Sequence, residues 1–193
     1  MNLKIYSFHK SGSMFLYRLF FSISEMNNIN YFSWNNIPNN SDDYKDCKNS
    51  KILCPIRSYP LNYSKDEKYI IHVRNPLDIL ISQYYSYGYT HGLPDENDKK
   101  KYSDFIKRRE KIVSKTINEY CLDPVVLNEI NTKYEKLFDW INKYGKNKNV
   151  FISKYDKMYY NFESWLNEIY IFVNYQQKEK AVKYKKKFLK FLE

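Results

Sequence analysis

The sequence predicts an α/β fold built on a parallel sheet with right-handed crossovers. Three observations predict it. Short strand-like runs alternate with helix-periodic runs along the chain. The run Tyr69-Ile70-Ile71-His72-Val73 is almost wholly apolar or β-favouring, as a strand covered on both faces requires. Two of the strand-like runs pass directly into a helix through a tight junction, at Phe8–Ser13 and at Val73–Pro76. In such sheets ligands bind beyond the carboxyl ends of the strands, so both junctions are expected on the binding rim.

Taken in order, Leu3 to Phe8 alternates as a buried first strand. After His9-Lys10-Ser11-Gly12-Ser13, the apolar residues Met14, Phe15, Leu16, Leu19, Phe20 and Ile23 recur at helical spacing. Residues 35–50 are rich in Asn, Asp, Ser and Lys and read as an exposed loop. Lys51 to Ile56 and Lys68 to Val73 read as strands. Asn75 is a good N-cap and Pro76 a good first helical residue. Their helix carries Leu77, Leu80, Ile81, Tyr84 and Tyr85 and ends at Gly88, Gly92 and Pro94. Pro94 to Ser103 is polar enough to read as a loop. Two helices follow. Asp123-Pro124 opens the better marked one, Val126, Leu127, Ile130, Tyr134, Leu137, Phe138 and Ile141 form its apolar face, and Gly145 closes it. Asn149 to Ser153 is a strand, Phe162 to Val173 a helix, and Gln177 to Leu192 a last helix. The organisation expected is one α/β domain over residues 1–175 and a basic amphipathic helix over 176–193.

Composition narrows the function. The 193 residues hold 43% hydrophobic and 28% charged side chains, enough for a core and too apolar for global disorder. Only 4 glycines are present, which excludes the dinucleotide fingerprint and a full Walker loop. No apolar run reaches the roughly 18–20 residues that span a bilayer. The first residues read as a strand and not as a signal peptide. Cys47, Cys54 and Cys121 form no CxxC pair, and His9, His72 and His91 are equally scattered. Neither a disulfide framework nor a zinc site is expected, and a cytoplasmic location is. The net charge is +10, which suits a polyanionic partner.

The first junction can hold such a partner. A helix N-terminus presents about four unpaired N–H groups and about half a positive charge. A loop feeding it can cradle phosphate or sulfate. Lys10 adds a cation, Ser11 and Ser13 add hydroxyls, and Gly12 allows a positive φ or a close approach. At the second junction Arg74 offers a planar fork for phosphate, and Ser82 lies eight residues on, two helical turns along the same rim. Three readings remain open on these residues. One is transfer from a phosphate-bearing donor. Another is a P-loop small-molecule kinase, which needs GxxxxGK[ST] and a strand ending in a magnesium-binding Asp. The third is a non-catalytic binder of nucleotide, nucleic acid or polyanion; against nucleic acid, the aromatics are dispersed without a recognised signature.

Together the junctions resemble the sulfotransferase family, whose donor is 3′-phosphoadenosine 5′-phosphosulfate (PAPS). Ser7-Phe8-His9-Lys10-Ser11-Gly12-Ser13-Met14-Phe15-Leu16 resembles its 5′-phosphosulfate loop. Ile71-His72-Val73-Arg74-Asn75-Pro76-Leu77-Asp78-Ile79-Leu80-Ile81-Ser82-Gln83-Tyr84-Tyr85 resembles its 3′-phosphate motif. Phe151-Ile152-Ser153-Lys154-Tyr155-Asp156-Lys157-Met158 is similar to a third strand-end segment. The resemblance implies a three-layer, P-loop-NTPase-like fold. It implies transfer of a sulfonyl group from PAPS to a hydroxyl or amine of a glycan, lipid or small molecule, without a metal. It places Lys10 at the bridging oxygen, and Ser11, Gly12, Ser13 and Met14 around the 5′-phosphate. Phe15 and Tyr155 fall near the adenine, and Arg74 and Ser82 at the 3′-phosphate.

The general base is less legible. Where many members carry a histidine, this chain reads Pro55-Ile56-Arg57-Ser58-Tyr59-Pro60, and Glu25 comes too early. His91, on the loop after the 3′-phosphate helix, is the candidate. His9 reads as positional and His72 as a satisfied core residue. The family's basic C-terminal element for the 3′-phosphate is missing. In its place the tail from Lys178 holds 7 Lys against 2 Glu, a candidate 3′-phosphate lid, acidic-acceptor site or membrane-surface patch.

Overall fold

A computed structural model of the chain describes residues 2–33 and 51–173. The expected loop over 35–50, the last helix over 177–192 with its lid or membrane role, and Cys47 lie outside the described residues.

Among the described residues, five parallel strands form one sheet in the order β2-β3-β1-β4-β5. They are β1 (Asn2–Ser7), β2 (Asn30–Phe32), β3 (Lys51–Ile56), β4 (Glu67–Val73) and β5 (Val150–Lys154). β1 sits in the centre, paired with β3 on one side and β4 on the other. Its alternate residues feed opposite faces. Leu3 and Ile5 pack with Ile52 of β3, Ile70 of β4, and Leu16, Phe20 and Ile23 of α1 (Ser13–Asn27). Trp165, Ile169 and Val173 of a C-terminal helix complete that layer.

The other face is covered by two helices. Tyr69 and Ile71 of β4 meet Ile79 and Leu80 of α2 (Pro76–Tyr85), and Ile130, Tyr134, Leu137 and Trp140 of α5 (Pro124–Tyr144). The result is helix, sheet, helix, the three-layer arrangement expected. Both helices begin as the sequence predicts. The Asn75 side chain accepts from Leu77 N–H at 2.9 Å with Pro76 next, and the Asp123 side chain accepts from Val125 N–H at 2.8 Å with Pro124 next.

Several local elements differ from expectation. β2 is a three-residue edge strand, too short for its alternation to register. The polar segment 94–103 is not all loop: α3 (Lys99–Val113) starts inside it, with Asp98 accepting from Lys101 N–H at 3.1 Å. Its first turn is charged, so the helical apolar spacing becomes visible only from Phe105. A short α4 (Ile117–Cys121) is fixed by a reciprocal Thr116–Glu119 cap. After α2 the chain makes a π turn over Ser86–Thr90, closed by His91 N–H on the Ser86 carbonyl at 2.6 Å. Gly88 lies inside that turn, where a Cβ would come within 3.2 Å of Ile112 on α3. After β5, α6 (Tyr155–Tyr160) precedes α7 (Phe162–Val173).

His72 fits the core reading only in part. Its Nδ1 lies 2.7 Å from the Ser153 hydroxyl, which also accepts from Trp165 Nε1 at 2.7 Å. Its Nε2 is buried without a hydrogen-bond partner among the described residues. Burial pushes its pKa down to about 3, so the ring is neutral.

Candidate donor and acceptor sites at the carboxyl rim of the sheet

The β1–α1 junction has the backbone features of an anion-binding turn. Lys10 and Gly12 both hold positive φ, 64° and 75°. Turns containing left-handed residues form anion-binding concavities. Gly12 is the N-cap of α1, supplies no side-chain cap, and no acidic residue stands in the first turn. The first intrahelical bond runs from Leu16 N–H to the Gly12 carbonyl at 3.0 Å. The N–H groups of Ser13, Met14 and Phe15 therefore precede it. Ser7 Oγ braces the turn by donating toward the carbonyls of Phe8 and Ser11, at 3.3 and 3.4 Å. Ser11 Oγ is buried and has no hydrogen-bond partner among the described residues, which makes it a candidate donor to a bound group.

The other two motif segments close on this loop. Arg74 ends β4 and donates from Nη1 to the Lys10 carbonyl at 2.5 Å. Its guanidinium lies 4.1 Å from the ring centroid of Tyr155, at the start of α6. Its Nε is buried and has no hydrogen-bond partner among the described residues. The Arg74 carbonyl in turn accepts from Tyr134 OH of α5. Tyr155 also packs on Gly12, whose missing Cβ would stand 3.3 Å from its ring and 3.0 Å from Met158. Lys10, Ser11, Gly12, Ser13, Arg74 and Tyr155 are thus one constellation. Ser82 is half-buried one turn before Ser86, on the same helical row. Met14 is exposed, with Sδ 4.0 Å from Arg57 Nη2. Phe15 packs on Phe162 and Trp165, with centroids 5.7 and 6.1 Å apart.

Beyond Lys10 lies a second cluster that the sequence reading did not assemble. Lys10 Nζ donates to Ser86 Oγ at 2.5 Å and stands 5.1 Å from the Tyr87 ring centroid. The Arg108 guanidinium lies 4.0 Å from the same centroid. His91 faces Tyr87 at 5.3 Å and Phe105 at 5.7 Å between ring centroids. Arg109 pins this turn by donating to the carbonyls of Tyr87 and His91, at 3.0 and 2.5 Å. No ring nitrogen of His91 is hydrogen-bonded among the described residues. The only signal for Ser86, Tyr87 and Arg108 in the sequence was their nearness to the Arg74 motif and to a helical basic run.

The electrostatics of this corner are strongly positive. Burial, then Arg57, Lys10, Lys133 and Arg108, push the His9 pKa down to about 4. Arg57 Nη1 lies 3.2 Å from His9 Nε2, and Tyr87 OH lies 3.4 Å from Nδ1. A neutral His9 accepting from Arg57 has its lone pair engaged, which agrees with a positional role. Burial, then Lys10, Arg109, Arg108 and Arg57, lower the His91 pKa. Burial, then Arg57 and Arg108, lower that of Lys10. Among the described residues no group of His, Cys, Asp or Glu could hold a metal ion, and no helix is long and apolar enough to cross a membrane.

Comparison with known proteins bears on the family and the fold. The model of the sulfotransferase domain family matches residues 2–190. Among solved structures, the chain is similar to mouse sulfotransferase SULT7A1 complexed with PAP, at 18% identity and a TM-score of 0.56. The match covers 94% of this chain and 61% of that one, so the chain spans less than two thirds of that protein's length. No curated protein sequence matches it significantly. With the family matched over nearly the whole chain, and its fold present, the protein belongs to the sulfotransferase family.

Proposed function

We propose that the chain transfers a sulfonyl group from PAPS to an acceptor hydroxyl, with His91 as general base and Lys10 as the stabiliser of the leaving group. One observation carries the reading: the uncapped α1 terminus, the orphaned Ser11 hydroxyl and Arg74 converge on a single loop. Those donors suit the oxygens of two phosphates.

In this reading the N–H groups of residues 13–15 and the Ser11 and Ser13 hydroxyls hold the 5′-phosphate. Arg74 and Ser82 hold the 3′-phosphate. Tyr155 covers one side of the Arg74 guanidinium and shields it from solvent. The bond between sulfur and the bridging oxygen breaks, and its electron pair stays on the phosphate. A new bond forms from sulfur to the acceptor oxygen, whose proton passes to His91. Charge grows on the bridging oxygen, where Lys10 and the helix terminus act in a partly desolvated site. The Ser86 hydroxyl, which accepts from Lys10 Nζ at 2.5 Å, orients the ammonium beside the loop. Burial, and then the surrounding cations, lower the His91 pKa and so favour the neutral ring that a general base needs.

The test is transfer of labelled sulfate from PAPS to a mixed hydroxyl-acceptor pool. Transfer by the wild type that is lost in Lys10→Ala supports the reading. Absence of PAP binding by the wild type refutes it.

A further inference from the structure

We propose that the acceptor is a small amphipathic anion: a hydroxyl-bearing molecule whose apolar body enters a cleft between α2, α3, α4 and α5 and whose carboxylate, phosphate or sulfate meets Arg108 and Lys111. The proposal rests on the sulfotransfer reading above and names the substrate class of that site.

The cleft has a volume of about 440 Å³, within the roughly 300–1,000 Å³ range of small-molecule sites. Its floor is apolar, from Leu80 of α2, Ile112 of α3 and Ile130 of α5, all buried. Its rim carries Arg108, Lys111, Lys115 and Lys133. Two of these cations are already answered: Lys115 pairs with Asp123, and Lys133 with Glu129 at 2.6 Å. Arg108 and Lys111 have no carboxylate within salt-bridge distance among the described residues. The cleft therefore presents an apolar floor and two rim cations without an ion-pair partner among the described residues, Arg108 lying in the field of Glu129 and Lys111 beyond it.

Arg108 also joins the cleft to the reacting centre. Its guanidinium lies on the Tyr87 ring, whose centroid is 5.1 Å from Lys10 Nζ. Two rim cations, Arg108 and Lys133, are also close enough to His9, beside Lys10, to lower its pKa. The donor's phosphates are accounted for at the α1 terminus and at Arg74, on the Tyr155 side of that loop. The positive charge on the Tyr87 side is left for a second anion. A neutral acceptor would leave it unscreened next to Lys10, whereas an anionic one lowers that repulsion as it binds.

The test is binding to PAP-saturated protein, followed by ligand-observed NMR and calorimetry. The probes are hydroxyl-bearing aryl and alkyl carboxylates, phosphates and sulfates, each matched to its neutral amide or alcohol. The expected result is at least tenfold tighter binding of an anionic member than of its neutral partner. That ratio should fall to within about threefold in Arg108→Gln/Lys111→Gln and be kept in Arg108→Lys. The best anionic head group identifies the source of the charge. Equal or tighter binding of neutral partners, no binding of any anionic member, or a ratio that survives the double substitution would overturn the proposal. Failure of PAP itself to bind in the first titration would overturn the underlying reading instead.

Discussion

Replacing Gly12 by alanine tests the donor loop through its backbone. Gly12 holds φ at 75°, where an L-residue pays about 1–2 kcal/mol. The added Cβ would stand 3.0 Å from Met158 Cε and 3.3 Å from Tyr155 Cε2. The methionine end can yield, but the tyrosine ring is held under Arg74, 4.1 Å from its guanidinium. Relief of the contact therefore moves Tyr155, and with it the guanidinium that donates to the Lys10 carbonyl. The strain alone predicts a loss of about 1–2 kcal/mol, or about 2–8 °C in Tm for a domain of this size. PAP affinity should fall more steeply, by tenfold or more, since both phosphate cradles shift together. Thermal denaturation and calorimetric titration with PAP measure the two effects on one preparation. A Tm change below 1 °C with unchanged PAP affinity would refute the coupling of Gly12, Tyr155 and Arg74.

Other substitutions read other parts of the account. Lys10→Ala should lower kcat by about 10²–10³-fold, as loss of one charge-stabilising donor does, with a smaller effect on PAP affinity in calorimetry. The kcat/KM profile should have an acid limb with its midpoint below 6.5, because a protonated His91 cannot take the acceptor proton. Arg108→Gln should move that limb upward, towards 6.5, by removing a repelling cation, and an unmoved limb argues against His91. The folded pKa of His72 is depressed to about 3, so the unfolded chain binds the extra proton below pH 6.5. Stability should fall as pH drops from 6.5 towards 3, by up to about 1.4 kcal/mol per unit from this group, and His72→Gln should flatten the slope in denaturation at graded pH. Trp165→Ala, at a fully buried site between sheet and α7, should cost about 3–5 kcal/mol by the same assay.

What was legible in the sequence was what local chemistry dictates. The Asn75-Pro76 and Asp123-Pro124 starts, the apolar run of β4 and the paired face of α5 need only neighbours in the chain, and each was readable. The fold class followed from their alternation. The Lys10–Ser13 loop was readable because a strand, a glycine and a helix fall within a few residues. Elements shaped by distant packing were not. β2 is a three-residue edge strand defined by pairing with β3. The first turn of α3 is charged, and its cap is a lone aspartate in a polar stretch. The π turn at Ser86–Thr90 exists because Gly88 lets α3 approach, which periodicity does not encode. For the same reason the Tyr87 corner was not assembled: Lys10, Arg57, His91 and Arg108 come from four separate segments. His72 was placed in the core by its apolar strand, but its orphaned Nε2 depends on what faces it across the sheet.

The central claim is that two phosphates of one nucleotide are held by the α1 terminus with Lys10 and by Arg74. Calorimetric titration of PAP and of adenosine 5′-phosphate into wild type, Lys10→Ala and Arg74→Ala tests it most directly. The account predicts that wild type binds PAP well above the compound lacking the 3′-phosphate, and that Arg74→Ala loses most of this discrimination. Lys10→Ala should keep the discrimination while binding both more weakly. Full discrimination retained in Arg74→Ala, or no binding of PAP to the wild type, would contradict it.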